Sequence, residues 1–173
     1  MIRTIVKYPE PVLTTPGAPV TEFDTPALRQ LIADMFETMY AANGVGLAAP
    51  QIGLSQRLTV IDCGEDEERG TAPQKIVLIN PQITRREGKQ TGEEGCLSIP
   101  GFRADVTRAQ SVTVRAQDVT GAWRELEATD HFARAVQHEV DHLDGILYLS
   151  YLSTLKRDLI KRKIRKLQKD GEW

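Results

Sequence analysis

No stretch of the 173-residue chain offers the ~18 apolar residues in a row that a membrane-spanning helix requires. The opening residues, MIRTIVKYPEPVL, have neither the long apolar segment of a signal peptide nor the Arg- and Ser-rich character of a transit peptide. One-sided charge is missing too. With 22 Lys and Arg against 24 Asp and Glu, the net charge of −2 predicts no global attraction to nucleic acid. Cysteine is scarce: Cys63 and Cys96 could form one disulfide in principle, but without an export signal a structural or metal-binding thiol is expected. No repeat, low-complexity tract or Pro/Gly/Ser-rich linker divides residues 1–173, which suffice for one domain with a real core. A cytoplasmic, single-domain enzyme is the class that survives these exclusions.

What is present reads as α+β. In DTPALRQLIADMFETMYAAN, Leu28, Leu31, Ile32, Met35 and Met39 recur at helical spacing, Asp24 or Thr25 can cap, and Pro26 suits the first turn. RLTVIDC and KIVLINP are β-branched, strand-like runs. Between Arg103 and Ala128, SVTVRAQDVTGAWRELEA predicts a hairpin turning near Thr120 and Gly121. A second helix follows Thr129 or Asp130 and stops at Gly145, and Ser153 opens a terminal helix. Antiparallel or mixed strands packed around a central helix, with helices toward both ends of the chain, are the expected architecture.

The central helix carries QHEVDH, residues 137–142: two histidines four residues apart and a glutamate directly behind the first. At 100° per residue it sorts into an apolar face (Phe132, Val136, Val140, Leu143), a polar face (Arg134, Gln137, Asp141, Asp144) and a stripe of His131, Ala135, His138 and His142. The i, i+4 spacing brings His138 and His142 to one point. Glu139 projects beside that point, placed to act on a water rather than to ligate. His131 sits two turns, roughly 10 Å, above His138, too far to share the same ion.

A catalytic metal of this kind wants a third protein ligand. A third histidine three residues past Gly145 is absent, because Tyr148 stands there. Downstream carboxylates are few and lie in or beside a strongly basic segment. Cysteine is the remaining soft donor. Cys96 lies in EEGCLSIPG, which can present a side chain and an exposed amide together, whereas Cys63 ends an apolar strand and suits packing as a small hydrophobe.

Three segments in order, GVGLAAPQ (44–51), EEGCLS (93–98) and QHEVDH (137–142), resemble the signature blocks of the peptide deformylase family. The likeness continues through DMFETMYA, VLINP and YLSTLK, so it covers essentially the whole chain. It implies Cys96, His138 and His142 as metal ligands and Glu139 as general acid/base. It also implies Gln51 and the Leu97 backbone N–H at the oxyanion. Gly44, Val45, Gly46 and Leu47 would shape the substrate wall, joined by Glu94, His131 and Ala135. The family's reaction is removal of the formyl group from N-formylmethionyl nascent peptides, with ferrous iron preferred and zinc, nickel or cobalt as substitutes. Glu93 and Glu94 read, from the sequence, as solvated or supporting groups rather than catalysts. His131 replaces the family's usual apolar or aromatic residue at the pocket edge, and Asp130 its common glycine, which alters the rim.

Rival readings fare worse. An HExxH peptidase acting on internal bonds lacks its third histidine or glutamate. A closed structural zinc site of Cys63, Cys96, His138 and His142 leaves Glu139 and Gln51 without a role. An RNA-binding module finds no aromatic platform. The tail, STLKRDLIKRKIRKLQKD, still asks for an explanation. Between Lys156 and Lys169 it places eight basic residues (156, 157, 161, 162, 163, 165, 166 and 169) against Asp158. Leu152, Leu155, Leu159 and Ile160 are expected to pack it down, with Ile164 and Leu167 extending the stripe. Its cationic faces are expected to meet the ribosome, where formylated N-termini appear.

Overall fold

A computed structural model describes residues 1–64 and 75–173. Helix α1 (Pro26–Ala41) begins where Thr25 accepts a hydrogen bond from the Leu28 amide at 3.1 Å, so Thr25 rather than Asp24 is the cap. Its buried Leu28, Met35, Phe36 and Met39 pack on the inner residues of β1 (Gly46–Ala48), β2 (Leu58–Asp62) and β3 (Lys75–Glu87). Hairpin β4 (Gln90–Cys96) and β5 (Ile99–Arg108) follows, then β6 (Ser111–Gln117) and β7 (Trp123–Thr129), helix α2 (Asp130–Leu143) and helix α3 (Thr154–Lys169).

The strands form an antiparallel five-stranded sheet ordered β1-β2-β3-β6-β7 and a separate pair, β4-β5. Strand β3 runs past its expected end at Pro81. Asn80 takes a positive φ of 50° there, and the pairing with β6 shifts register between Ile79 and Gln82. The Asn80 side-chain amide donates to the Val20 carbonyl (2.9 Å) and to Gln117 (2.7 Å), so the break in the ladder is satisfied. The β6–β7 turn falls at Thr120 and Gly121 as expected. Asp118 accepts from the Thr120 and Ala122 amides, and Gly121 holds φ 88°.

Two expectations need correction. The segment from Arg103 does not lead into the β6–β7 hairpin: Arg103–Arg108 belongs to β5 and pairs with β4. Strand β4, QTGEEGC, alternates polar residues with glycine, so neither β propensity nor an apolar pattern announces it. On α3, Leu155 is 81 % exposed and Leu159 47 %, and only Ile160 and Ile164 are buried. The four-residue step from Ile160 to Ile164 defines a single narrow face; Leu155 and Leu159 lie about 100–140° around the helix from it. Trp173 anchors the segment beyond α3, donating to the Tyr8 carbonyl at 2.6 Å and packing edge-on against Phe102.

Helix α2 runs through the middle. Phe132, Val136 and Val140 meet Ile61, Val112, Val114 and Ala128 of the sheet. Its polar face is also interior, against β4 and the β5–β6 corner: Arg134 and Gln137 are buried. Gln137 accepts from the Ala109 amide and donates to the Ala109 and Ala133 carbonyls, each at 3.0 Å, so its amide is fully used.

Candidate metal centre and cavity

Three elements deliver donor atoms to one point. The helical repeat of α2 brings His138 Nε2 and His142 Nε2 to 3.2 Å. Cys96, the last residue of β4, places Sγ 3.4 Å from His142 Nε2, and one donor atom from each of the three lies within 4.8 Å of the others. Cys63 is not in this group; it packs against the α2–sheet core, where burial pushes its thiol up to about 11. That excludes the closed four-ligand site.

Lone pairs crowded this closely repel unless a cation or a proton sits among them. The surroundings favour positive charge. Burial alone would lower the His138 pKa, yet the hydrogen bonds its ring donates to Cys96 and Glu94 outweigh it and push the imidazole up to about 10. Burial, followed by the nearby His138, depresses His142 instead. Two imidazoles and a thiolate are a fitting donor set for a borderline divalent metal, with a position left for water. His138 Nδ1 lies 2.9 Å from Glu94 Oε1, which fixes Nδ1 as a donor to the carboxylate and leaves Nε2 as the atom that faces the other two residues.

Glu139 lies beside the cluster, 4 % exposed, and its Oε1 has no hydrogen-bond partner. Burial pushes its carboxyl up to about 7, opposed by His138 and Arg108. A carboxyl poised near neutrality with a free oxygen is suited to proton transfer. Gly46 makes room for it: a Cβ there would meet Glu139 Oε2 at 2.5 Å. Gln51, in the short 3₁₀ helix Ala49–Ile52, is 1 % exposed. Its Oε1 accepts from the Ala48 amide at 3.0 Å, which aims Nε2 at Ser98 Oγ (3.2 Å) and Cys96 Sγ (3.6 Å). Leu97 follows Cys96 in the two-residue turn between β4 and β5, so its amide starts one peptide bond from the ligand.

These groups open onto a cavity of about 580 Å³. Gly44, Val45, Gly46, His131 and Ala135 line it, as do Gln51, Leu97 and Glu139. Gly44 is tight against the Leu97 side chain, at 2.6 Å from an added Cβ. Leu47 does not line it: its side chain is fully buried in the α1 core, because alternation along β1 turns it away from Gly46.

Of the two roles open to Glu94, solvated or supporting, the supporting one fits the geometry: it borders the cavity, but its carboxylate is occupied. It is 4 % exposed; Arg108 donates to both its oxygens at 2.8 Å and Arg134 to Oε2 at 2.7 Å. Glu93 is the solvated one, paired at the surface with Arg103 at 2.6 Å. Sequence reasoning missed Arg108, Arg134 and Ser98 as supports and Phe102 and Arg103 as cavity wall. The β4–β5 pairing that places most of them had no periodic signal.

Comparison with known proteins returns a consistent answer. The family model described as polypeptide deformylase matches residues 2–158. A peptide deformylase of Acidobacterium capsulatum is 58% identical over 173 residues, covering 100% of this chain and 99% of that protein. One from Alkalilimnicola ehrlichii is 51% identical, covering 98% and 93%. Among solved structures, a peptide deformylase from Legionella pneumophila is 44% identical with a TM-score of 0.87, covering 99% of this chain and 98% of that one. One from Ehrlichia chaffeensis in complex with actinonin is 37% identical with a TM-score of 0.87, covering 95% and 96%.

Proposed function

The chain belongs to the polypeptide deformylase family, and from that premise we propose that Cys96, His138 and His142 hold one ferrous ion and Glu139 moves the protons of the reaction. The reaction is hydrolysis of the formyl amide of N-formylmethionyl peptides to formate and a free N-terminus. One observation carries the residue assignment: the three donors converge within 4.8 Å while the unpaired Glu139 Oε1 is buried beside them at the same cavity.

When bound, the ion supplies Lewis acidity and makes hydroxide available near neutral pH. The side chains do the rest. The cavity between Gly44–Gly46 and α2 receives the methionine and leads its formyl carbon to the donor cluster. Glu139 accepts the proton of the attacking water on its free oxygen and returns it to the leaving amine, a role suited to a carboxyl near pH 7. Gln51, its Oε1 held by the Ala48 amide and its Nε2 directed by Ser98, and the Leu97 amide donate to the developing oxyanion; losing one such donor costs on the order of 10²–10³ in rate. Pre-set orientation means little reorganises as charge appears.

Formate release from formyl-Met-Ala-Ser, set against its unformylated twin with anaerobically prepared iron-loaded protein, tests the whole reading. No formate, or cleavage of the twin, would overturn it. Iron is tested separately: activity should decay in air and persist with nickel or cobalt. An equal half-life under air and nitrogen counts against iron.

We further propose that the enzyme works in the cytoplasm and that α3 meets the ribosome there. Among the described residues no helix is long and apolar enough to cross a membrane. Arg162, Arg165, Lys166 and Lys169 lie together on the exposed side of α3. Deleting residues 161–173 would also remove the buried Ile164 and the Trp173 anchor, so charge neutralisation is the cleaner experiment. Replacing these residues with Gln should weaken ribosome co-sedimentation at low salt and spare hydrolysis of short formyl peptides. Unchanged co-sedimentation would reduce the helix to a packing and solubility element.

A further inference from the structure

The support behind His138 does not stop at Glu94. Arg108, its side chain 4 % exposed, spends Nε and Nη2 on Glu94 and turns Nη1 to Asp141 Oδ2 at 2.6 Å. Asp141 stands on α2 three residues after His138 and directly before His142. The same Oδ2 accepts from the hydroxyl of Tyr151 at 2.6 Å, and the Tyr151 ring lies under the Arg108 guanidinium, 4.7 Å from Cζ. Tyr151 thus touches the network twice, once through Asp141 and once through Arg108. It comes from the 3₁₀ helix Tyr148–Tyr151, whose first residue stacks on the His138 ring at 6.4 Å.

The tyrosine itself is 48% exposed. A packing role alone would need only its ring, and the hydroxyl would be free to face water. Instead it closes the outer end of a charged, nearly dry chain, where one hydrogen bond polarises the next. Without it, Asp141 Oδ2 keeps only Arg108, and water gains access to the face of the guanidinium that orients Glu94.

We propose that Tyr151 is a positioning residue for the donor triad, holding Asp141 and Arg108 so that Glu94 keeps the His138 ring aimed at Cys96 and His142. This rests on the reading of those three residues as metal ligands. Tyr151 is absent from the cavity lining, so its influence falls on metal retention and turnover, with substrate affinity unchanged.

The test uses cobalt-loaded parent, Y151F, D141N, the double variant and C96A. The readouts are the cobalt–thiolate absorption, the rate of metal loss to a chelator, kcat, KM and thermal midpoint. Y151F should speed metal loss by about 3- to 10-fold, less than the ~10–100-fold typical of a direct ligand partner, and lower kcat at constant KM. In the double variant the tyrosine change should add nothing to D141N, since its hydroxyl acts through Asp141. Parental metal loss in Y151F, whatever its thermal midpoint, overturns the proposal, as do additive effects in the double variant. C96A separates the two ideas. If it keeps the parental absorption, the ligand assignment fails and the inference with it. If C96A loses the band while Y151F behaves as parent, only the inference falls.

Discussion

Helices α2 and α3 are close in length, 14 and 16 residues, and both are rich in charge, yet they solve opposite problems. On α2 ten residues are buried, polar Arg134, Gln137, Glu139 and His142 among them; on α3 only Ile160 and Ile164 are. The charges of α3 cost nothing to leave in water. Those of α2 must find partners, and Arg134 does so threefold, donating to Glu94 (2.7 Å) and to the Val106 (3.0 Å) and Gly92 (3.3 Å) carbonyls. The exceptions are informative. Among the described residues the buried side-chain atoms without a partner are Glu139 Oε1 and His142 Nδ1, both on α2 and both at the donor cluster. A helix whose other buried side-chain atoms are paired leaves its unpaired ones on the two residues at the donor cluster.

The largest contrast between the two helices should be catalytic. His138→Ala should lose both metal and formate release, whereas Glu139→Gln should keep about one metal per chain and lose turnover. Elemental analysis alongside a formate assay decides it; metal loss in Glu139→Gln equal to that of His138→Ala would make the glutamate structural. No single substitution of an exposed α3 residue should approach either effect.

Stability should separate the helices next. Arg134→Ala strips one cation from a buried carboxylate and should cost about 3 kcal/mol, the low end for breaking a buried pair because Arg108 remains. Arg165→Ala on α3 should stay within about 0.5 kcal/mol. Urea unfolding of both measures it, and comparable losses would erase the distinction.

Acid should act on the α2 network first. Burial would raise the Glu94 carboxyl, but hydrogen bonds from Arg108 and His138 outweigh it and hold it well below the usual carboxylate range. The folded state therefore binds fewer protons than the unfolded one near the ordinary glutamate pKa of ~4.3. The stability this confers is present above that pH and lost as pH falls below it. Urea titrations from pH 7 to pH 3 should give a flatter acid limb for Glu94→Gln than for the parent; parallel limbs would remove Glu94 from the account.

The smallest expected difference lies within α3. Ile164→Val should cost about 0.5–1.5 kcal/mol, since a methylene leaves a fully packed site. Leu155→Ala should be nearly silent at 81 % exposure. A measurable loss at Leu155 would mean a contact that covers it in solution.

What the sequence determined by itself was whatever local spacing encodes. The i, i+4 histidines with Glu139 between them define a helix face before any fold exists, and the helix start at Asp24 or Thr25 and the Thr120–Gly121 turn are equally local. The resemblance of three ordered blocks then brought Cys96 and Gln51 to that face across a separation of 45 positions from Gln51 to Cys96 and 42 from Cys96 to His138, a closure no periodicity could supply. The support was only partly legible. For two adjacent glutamates in a Gly-rich stretch the sequence left solvated and supporting roles open, and only the β4–β5 pairing turns Glu94 inward toward Arg108 and Arg134. Leu47 and Leu155 erred in opposite directions for one reason. Which side of a strand or helix meets the core depends on what packs against it, and that partner is chosen by the tertiary fold rather than by the residue.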